Sequence, residues 1–391
     1  MKKLGLLLCF LSWTTIGQVN TEIHVYDILQ EGNNVKLKNG VNISNNKGYD
    51  NQPSFFKDDQ VLFAYSRNGA TDIVLYDLKS KTKKFLSQTP NGGEYSPQRI
   101  PGTDDVSAVR LDNNGYQRFY GYNTASGENK ELIQNLKVAY PTWYDESTVV
   151  ASVIVSEKLE LFICDLVKNE CISVSKNVGR SVKKIPGSNL VSFVSQNEKK
   201  EWLLQSFNPI SKNVKTITNL GETQDVAWLP DGTLLFPRGN RIYKLHPQKE
   251  KVPTLWWGFT DENINNISRM SVNQSGTKIA LTAEVSPRYL AQEQLDAYNN
   301  RDIEAFLKPY ATNVKVYRYP NTLSYEGIDN MRKRYEPFFK NTPDLNCKLL
   351  RRIVYKNQVI DHELVTINGR QINAVAIYTM KNGKITTVTF L

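Results

Sequence analysis

Thr71-Asp72-Ile73-Val74-Leu75-Tyr76-Asp77-Leu78 is nearly repeated close to the start of the chain as Thr21-Glu22-Ile23-His24-Val25-Tyr26-Asp27-Ile28. The later copy follows an apolar inner-strand run, Gln60 to Ser66; the early copy has no such run before it. An outer strand without inner strands upstream needs partners from elsewhere in the chain. The far end of a repeat array offers them. Ile267-Ser268-Arg269-Met270 and Lys278-Ile279-Ala280-Leu281-Thr282 read as inner strands with no outer pair after them. A circular array of small sheets, its first strands completing its last sheet, satisfies both ends and leaves no open sheet edge.

Between these ends a phrase recurs: Pro or a small residue, an aromatic, an apolar strand, then a strand ending near Tyr-Asp. Pro53-Ser54-Phe55, Pro97-Gln98-Arg99 and Pro141-Thr142-Trp143 open three units. Val182 opens a fourth, whose Lys184-Ile185-Pro186-Gly187 echoes Arg99-Ile100-Pro101-Gly102. Val226-Ala227-Trp228, followed by the turn Leu229-Pro230-Asp231-Gly232, opens a fifth, and Ser268-Arg269-Met270 a sixth. Positions 53, 97, 141, 182, 226 and 268 are spaced by 44, 44, 41, 44 and 42 residues. A period of 40–45 residues with about four short strands per unit predicts a β-propeller. Its blades bury both faces only by packing against neighbours. Asp72 and Asp77 are expected to cap turns.

These blades resemble the WD40-like repeats of TolB-type propellers, Ser66-Arg67-Asn68-Gly69 with Thr71-Asp72-Ile73 being the strongest match. The resemblance implies a fold over roughly residues 21 to 285, and a surface that binds another protein.

The chain has 391 residues, a formal charge of +10, 40% hydrophobic residues, 20 Tyr and 15 Phe. That length predicts more than one domain with a sizeable core. Met1-Lys2-Lys3 followed by Leu4 to Leu11 has the charged start and short apolar run of a secretory signal peptide. A mature chain beginning near Gln18, exported to the periplasm or medium, is expected. No other run is apolar enough to predict a transmembrane helix. Lys79 to Lys84, Lys183-Lys184 and Lys199-Lys200 fall at predicted turns. There, solvated charges guard sheet edges better than they bind nucleic acid. Cys164, Cys171 and Cys347 form no metal-binding pattern. Cys164 and Cys171 flank a hairpin tip, either bonded as a disulfide or left as two buried thiols. No P-loop, dinucleotide fingerprint or Gly-x-Ser-x-Gly elbow occurs, so no cofactor and no metal is expected.

The texture changes after Val285-Ser286-Pro287. Leu290, Ala291, Leu295 and Tyr298 share one helical face, and Asp302 can cap a second helix carrying Ile303, Phe306, Leu307 and Tyr310. A strand (Val314 to Tyr319), a third helix (Ile328, Met331, Tyr335 and Phe338 inward) and four further strands complete a cone-shaped α+β domain. The expected organisation is a signal peptide (1–17), an all-β six-bladed propeller closed by N-terminal strands (18–285), and the smaller α+β cone (286–391).

The C-terminal phrases Ala297-Tyr298-Asn299-Asn300-Arg301-Asp302-Ile303-Glu304-Ala305-Phe306, Tyr325-Glu326-Gly327-Ile328 and Ile377-Tyr378-Thr379-Met380-Lys381-Asn382-Gly383-Lys384 carry a second resemblance. They resemble the SnoaL-like branch of the nuclear-transport-factor-2-like superfamily, which holds ketosteroid isomerases, polyketide cyclases and domains that only bind. Carrying over the isomerase groups puts Arg318 where the base should be, Gln294 at the oxyanion-hole tyrosine and Tyr378 at the protonated aspartate. Arg318 cannot accept a proton at usable pH. The remaining candidates are His362 as a base with Tyr378 or Tyr317 as partner, and a pocket of Tyr298, Tyr317, Tyr319, Tyr335, Phe338, His362 and Tyr378. Because strand residues alternate faces, either His362 or the pair Asp361 and Glu363 lines the cone, not both.

Two functions follow. One is an exported non-catalytic binding protein, with the propeller as platform for a protein partner and the cone as a hydrophobic small-ligand or homodimerisation module. The other is an isomerase, cyclase or hydratase acting on a hydrophobic small molecule in the cone.

Overall fold

The computed structural model describes residues 20–391 apart from 32, 33, 90, 91, 262 and 382. The expected signal peptide, residues 1–17, lies outside them. Two compact units emerge, Asn20–Tyr289 and Leu290–Leu391.

The first unit is a ring of six four-stranded antiparallel groups. In one, Asn51–Lys57, Gln60–Arg67, Ala70–Asp77 and Thr82–Phe85 pair in chain order. The sixth draws on both ends of the array: Asn265–Val272 pairs with Lys278–Glu284, which pairs with Thr21–Glu31, which pairs with Asn34–Asn42. Thr21 stands opposite Glu284 and Asp27 opposite Lys278, whose ammonium donates to the Asp27 carboxylate at 2.5 Å.

Both faces of each blade are covered. Gln60–Arg67 buries Val61, Leu62, Phe63 and Ala64 in succession, although neighbours on a strand point opposite ways. Val61 and Phe63 pack with Ile23, Val25 and Ile43 of the sixth blade, and Leu62 packs with Val106, Ala108 and Tyr122 of the second. The same sharing recurs at the other four interfaces. Burying a side chain the size of Phe63 stabilises by roughly 2–3 kcal/mol. The recurring tryptophan has a specific job. Trp143 Nε1 donates to Ser107 Oγ of the preceding blade at 2.9 Å, and Trp228 Nε1 donates to Ser192 Oγ at the same distance.

Asp77, Asn123, Asp165 and Asn208 each accept from the backbone N–H groups two and three residues on, which closes the turn after the third strand. Asp72 departs from the turn-capping expectation: its carboxylate is buried and takes the Arg67 guanidinium at 2.5 Å. Cys164 and Cys171 stand opposite each other in register and form a disulfide; Cys347 is free and buried.

The second unit packs helices on one face of a six-stranded sheet. The sheet order is Thr322–Glu326, Tyr310–Arg318, Lys384–Phe390, Arg370–Lys381, Gln358–Ile367, Asn346–Tyr355. All pairs are antiparallel except Tyr310–Arg318 with Lys384–Phe390. Asp302 accepts from Ala305 N–H and starts the helix Ile303–Leu307. That helix is shorter than its apolar spacing predicts. Pro309 has no N–H to continue the ladder, so Tyr310 opens a strand instead. Among the described residues, no helix is long and apolar enough to cross a membrane.

Candidate functional site

Gln358–Ile367 decides what enters the interior of the second unit. Val359, Asp361, Glu363 and Val365 are buried, whereas Ile360, His362 and Leu364 alternate with them on the other face. His362 stands opposite Arg351 and Val375, and Tyr378 stands opposite Val359 on the inner face. His362 therefore does not share a face with Tyr378, and the expectation of a histidine base inside the cone is corrected.

The two inward carboxylates have different company. Arg352 Nε and Nη2 donate to Asp361 Oδ1 and Oδ2 at 2.7 and 2.6 Å, and Nη1 donates to Gln292 Oε1 at 2.8 Å. Both charged side chains are almost wholly buried. This planar fork on a carboxylate is the strong form of the interaction, and it commits Asp361 to structure.

Glu363 ends a chain of donors. Tyr310 Oη donates to Gln294 Oε1 at 3.3 Å, and Gln294 Nε2 donates to Tyr378 Oη at 3.0 Å. Tyr378 Oη in turn donates to Glu363 Oε1 at 3.3 Å. The Cys347 thiol lies beside the Glu363 carboxyl and favours its charged form. All five side chains are buried. Burial, and after it the Asp361 charge, pushes Glu363 up to about 7, against the smaller pull of Tyr378, Cys347 and Arg352. Near neutrality this carboxyl can hold or release a proton. Burial raises Tyr310, Tyr378 and Cys347 far above their ordinary values, so they remain protonated donors.

Around this chain the rings close up. Phe306 and Tyr335 lie 4.6 Å apart by centroid, Tyr298 and Phe339 5.5 Å, Tyr335 and Phe338 6.3 Å. Of the seven residues expected to line a pocket, Tyr298, Tyr335, Phe338 and Tyr378 gather in or against this core. Three do not. Tyr317 alternates with the buried Val316 and faces outward, Tyr319 is 67% exposed, and His362 lies on the outer face. The isomerase positions also divide: Gln294 and Tyr378 touch directly, while Arg318 is exposed at a strand end. Reading the sequence alone missed Tyr310, Cys347 and Glu363 as members of this chain. The available signal was the Asp361/Glu363 alternation together with Arg352, the cation that takes up one of the two.

Residues 291–388 match the family described as a SnoaL-like domain. Among solved structures, the putative TolB from Agrobacterium tumefaciens is 10% identical, covers 68% of this chain and 99% of its own, and has a TM-score of 0.53, a likeness of fold. An NTF2-like protein of unknown function from Cytophaga hutchinsonii is 21% identical, over 28% of this chain and 91% of its own, with a TM-score of 0.24. A putative ketosteroid isomerase from Kribbella flavida is 21% identical, over 27% of this chain and 75% of its own, with a TM-score of 0.23. No curated protein matches this chain.

Proposed function

We propose that this chain, a TolB-like propeller followed by a SnoaL-like domain, is an exported, non-catalytic binding protein. Its propeller serves as platform for a protein partner, and its C-terminal domain joins two copies. Export rests on the charged, apolar start of the sequence.

The observation that carries the assembly role is the outer face of the six-stranded sheet. Ile353, Ile360, Ile377, Thr389, Tyr317 and Leu323 stand in one register row across all six strands. Ile353 is 61% exposed and Leu323 48%. A sheet with one face on a core ordinarily turns polar residues outward. A largely apolar row, partly exposed along its length, marks a contact surface, and a second copy related by a two-fold axis supplies an identical one. Inside, the packed rings and mutually satisfied polar groups favour assembly over a hydrophobic small ligand. Sedimentation velocity on the mature chain tests this. A dimer is expected, converted to monomer by Ile353→Asp, a change at an exposed site that leaves the core intact. A monomer at every concentration would overturn the assembly role.

A second reading is favoured by one observation, the Glu363 carboxyl poised near neutrality beside Tyr378. In it the domain is an isomerase, cyclase or hydratase with Glu363, not His362, moving the proton. Turnover of a hydrophobic carbonyl compound that is lost in Glu363→Gln and kept in His362→Gln would establish it.

A further inference from the structure

The repeat that builds the propeller also brings one segment of each blade to the ring's axis. Residues 52–54, 96–98, 140–141, 180, 182–183, 225 and 269–270 line a central cavity of about 50 Å³. That volume exceeds what a single water needs. The charges there are unevenly shared. Arg180, Lys183 and Arg269 come from the fourth and sixth blades, and Asp225, between them, is the acidic residue in the lining.

Asp225 does not neutralise this group. Its Oδ2 accepts the Met270 N–H at 2.7 Å, and its Oδ1 is 3.8 Å from Arg269 Nη1. Among the described residues, the Arg180 side chain donates to one carbonyl, Ser268 O, through Nη2 at 3.3 Å. Its Nε is buried with no hydrogen-bond partner among the described residues, and so is the Oγ of Ser268 beside it. Lys183 has no ion pair or hydrogen bond from its ammonium among the described residues. Burial and, after it, the Arg269 charge lower the proton affinity of both cations, against the pull of Asp225. Cations crowded together and drawn partly out of water without enough acceptors are destabilising. Nothing in the blades' own packing requires it, since the first three blades line the cavity with Gln52, Ser96 and Tyr140 and their neighbours, without a cation.

We propose that the axial cavity of the propeller binds one small oxyanion, carboxylate or phosphate, held by Arg180, Lys183 and Arg269. The anion supplies the acceptor that Arg180 Nε lacks and offsets one excess positive charge as a carboxylate or up to two as a phosphate. Asp225 then orders the Met270 backbone on the far side. The site is independent of the sheet face assigned above to assembly.

Isothermal titration of the full mature chain with sodium acetate and, separately, with inorganic phosphate tests this, with ionic strength held constant by sodium chloride. Saturable binding of one anion per chain is expected, weakened about tenfold or more by Arg180→Gln and by Lys183→Gln, since each removes a charge-assisted contact. Tighter binding of acetate assigns a carboxylate ligand, and tighter binding of phosphate a phosphoryl ligand. Without anion, both variants should melt at or above the parent temperature, because each relieves like-charge repulsion. Should one variant fail to fold, Arg269→Gln replaces it with the same expected loss. No saturable heat with either anion, or binding unchanged in the variants, overturns the proposal.

Discussion

The propeller divides its interior among six interfaces, each made by two neighbouring blades: Phe63 and Ile23 meet in one, Phe193 and Leu161 in another. The second unit instead has one core, where Tyr310, Gln294, Tyr378, Glu363 and Cys347 depend on one another in sequence. The contrast predicts how damage spreads. Separate interfaces with no shared partners should lose stability additively, whereas groups in one network should not. The ring has one exception, the place where it closes.

Closure offers the largest effect. Thr21–Glu31 and Asn34–Asn42 supply half the strands of the sixth blade, and their residues pack on the first and fifth blades. Deleting residues 18–42 should abolish the cooperative unfolding transition of the propeller in calorimetry, because two interfaces and a sheet edge open together. An unchanged transition would mean the ring does not need its N-terminal strands.

The buried Arg352–Asp361 pair comes next. Removing one partner leaves the other charged and unpaired, so Arg352→Met or Asp361→Leu should each cost about 3–5 kcal/mol in denaturant unfolding. The double variant Arg352→Met/Asp361→Leu should recover most of that. Simple addition of the two losses would break the contrast, making the second unit behave like the propeller.

Glu363 gives a pH-dependent version of the same test. Its folded carboxyl holds a proton up to about pH 7, and its ordinary value is 4.5. Between those values the folded state binds more protons than the unfolded state, so stability falls as pH rises through that window. The decline amounts to about 3 kcal/mol at most. Asp50, pushed to about 7 by burial in the propeller, slopes the same way. The informative quantity is therefore parent minus Glu363→Gln. That difference should fall between pH 4.5 and 7 and level off above; a flat difference would place Glu363 in a more solvated setting.

The parts of this molecule that repeat or alternate over long runs were legible in the sequence; single-residue choices of face were not. The 44-residue spacing announced the blades because the same burial problem is solved six times. Asp361, His362 and Glu363 stayed ambiguous because strand alternation gives two faces without saying which is inside. A partner on another strand, Arg352, resolves it, and the register irregularity between Leu349 and Arg351 lies just before that residue. Lys183 and Lys184 read alike as a solvated pair, yet adjacent strand residues diverge: Lys184 is exposed and Lys183 lines the axis. Spacing alone puts Tyr310 on a helix, and one proline outweighs that spacing.

The smallest expected effect tests the repeat most directly. Ser107 and Ser192 accept the indole N–H of Trp143 and Trp228 at the same distance from equivalent places in blades two and four. Both hydroxyls are buried, so Ser107→Ala or Ser192→Ala leaves a buried N–H without an acceptor and should cost about 1–2 kcal/mol. The two sites lie in different interfaces with no common neighbour. The double variant should therefore lose the sum of the single losses to within about 0.5 kcal/mol. Equal single losses would show that the phrase ending in tryptophan does the same physical work wherever it recurs. A double loss well beyond the sum would mean that the ring transmits strain from one interface to another. Then the propeller, like the second unit, would have to be treated as one cooperative network.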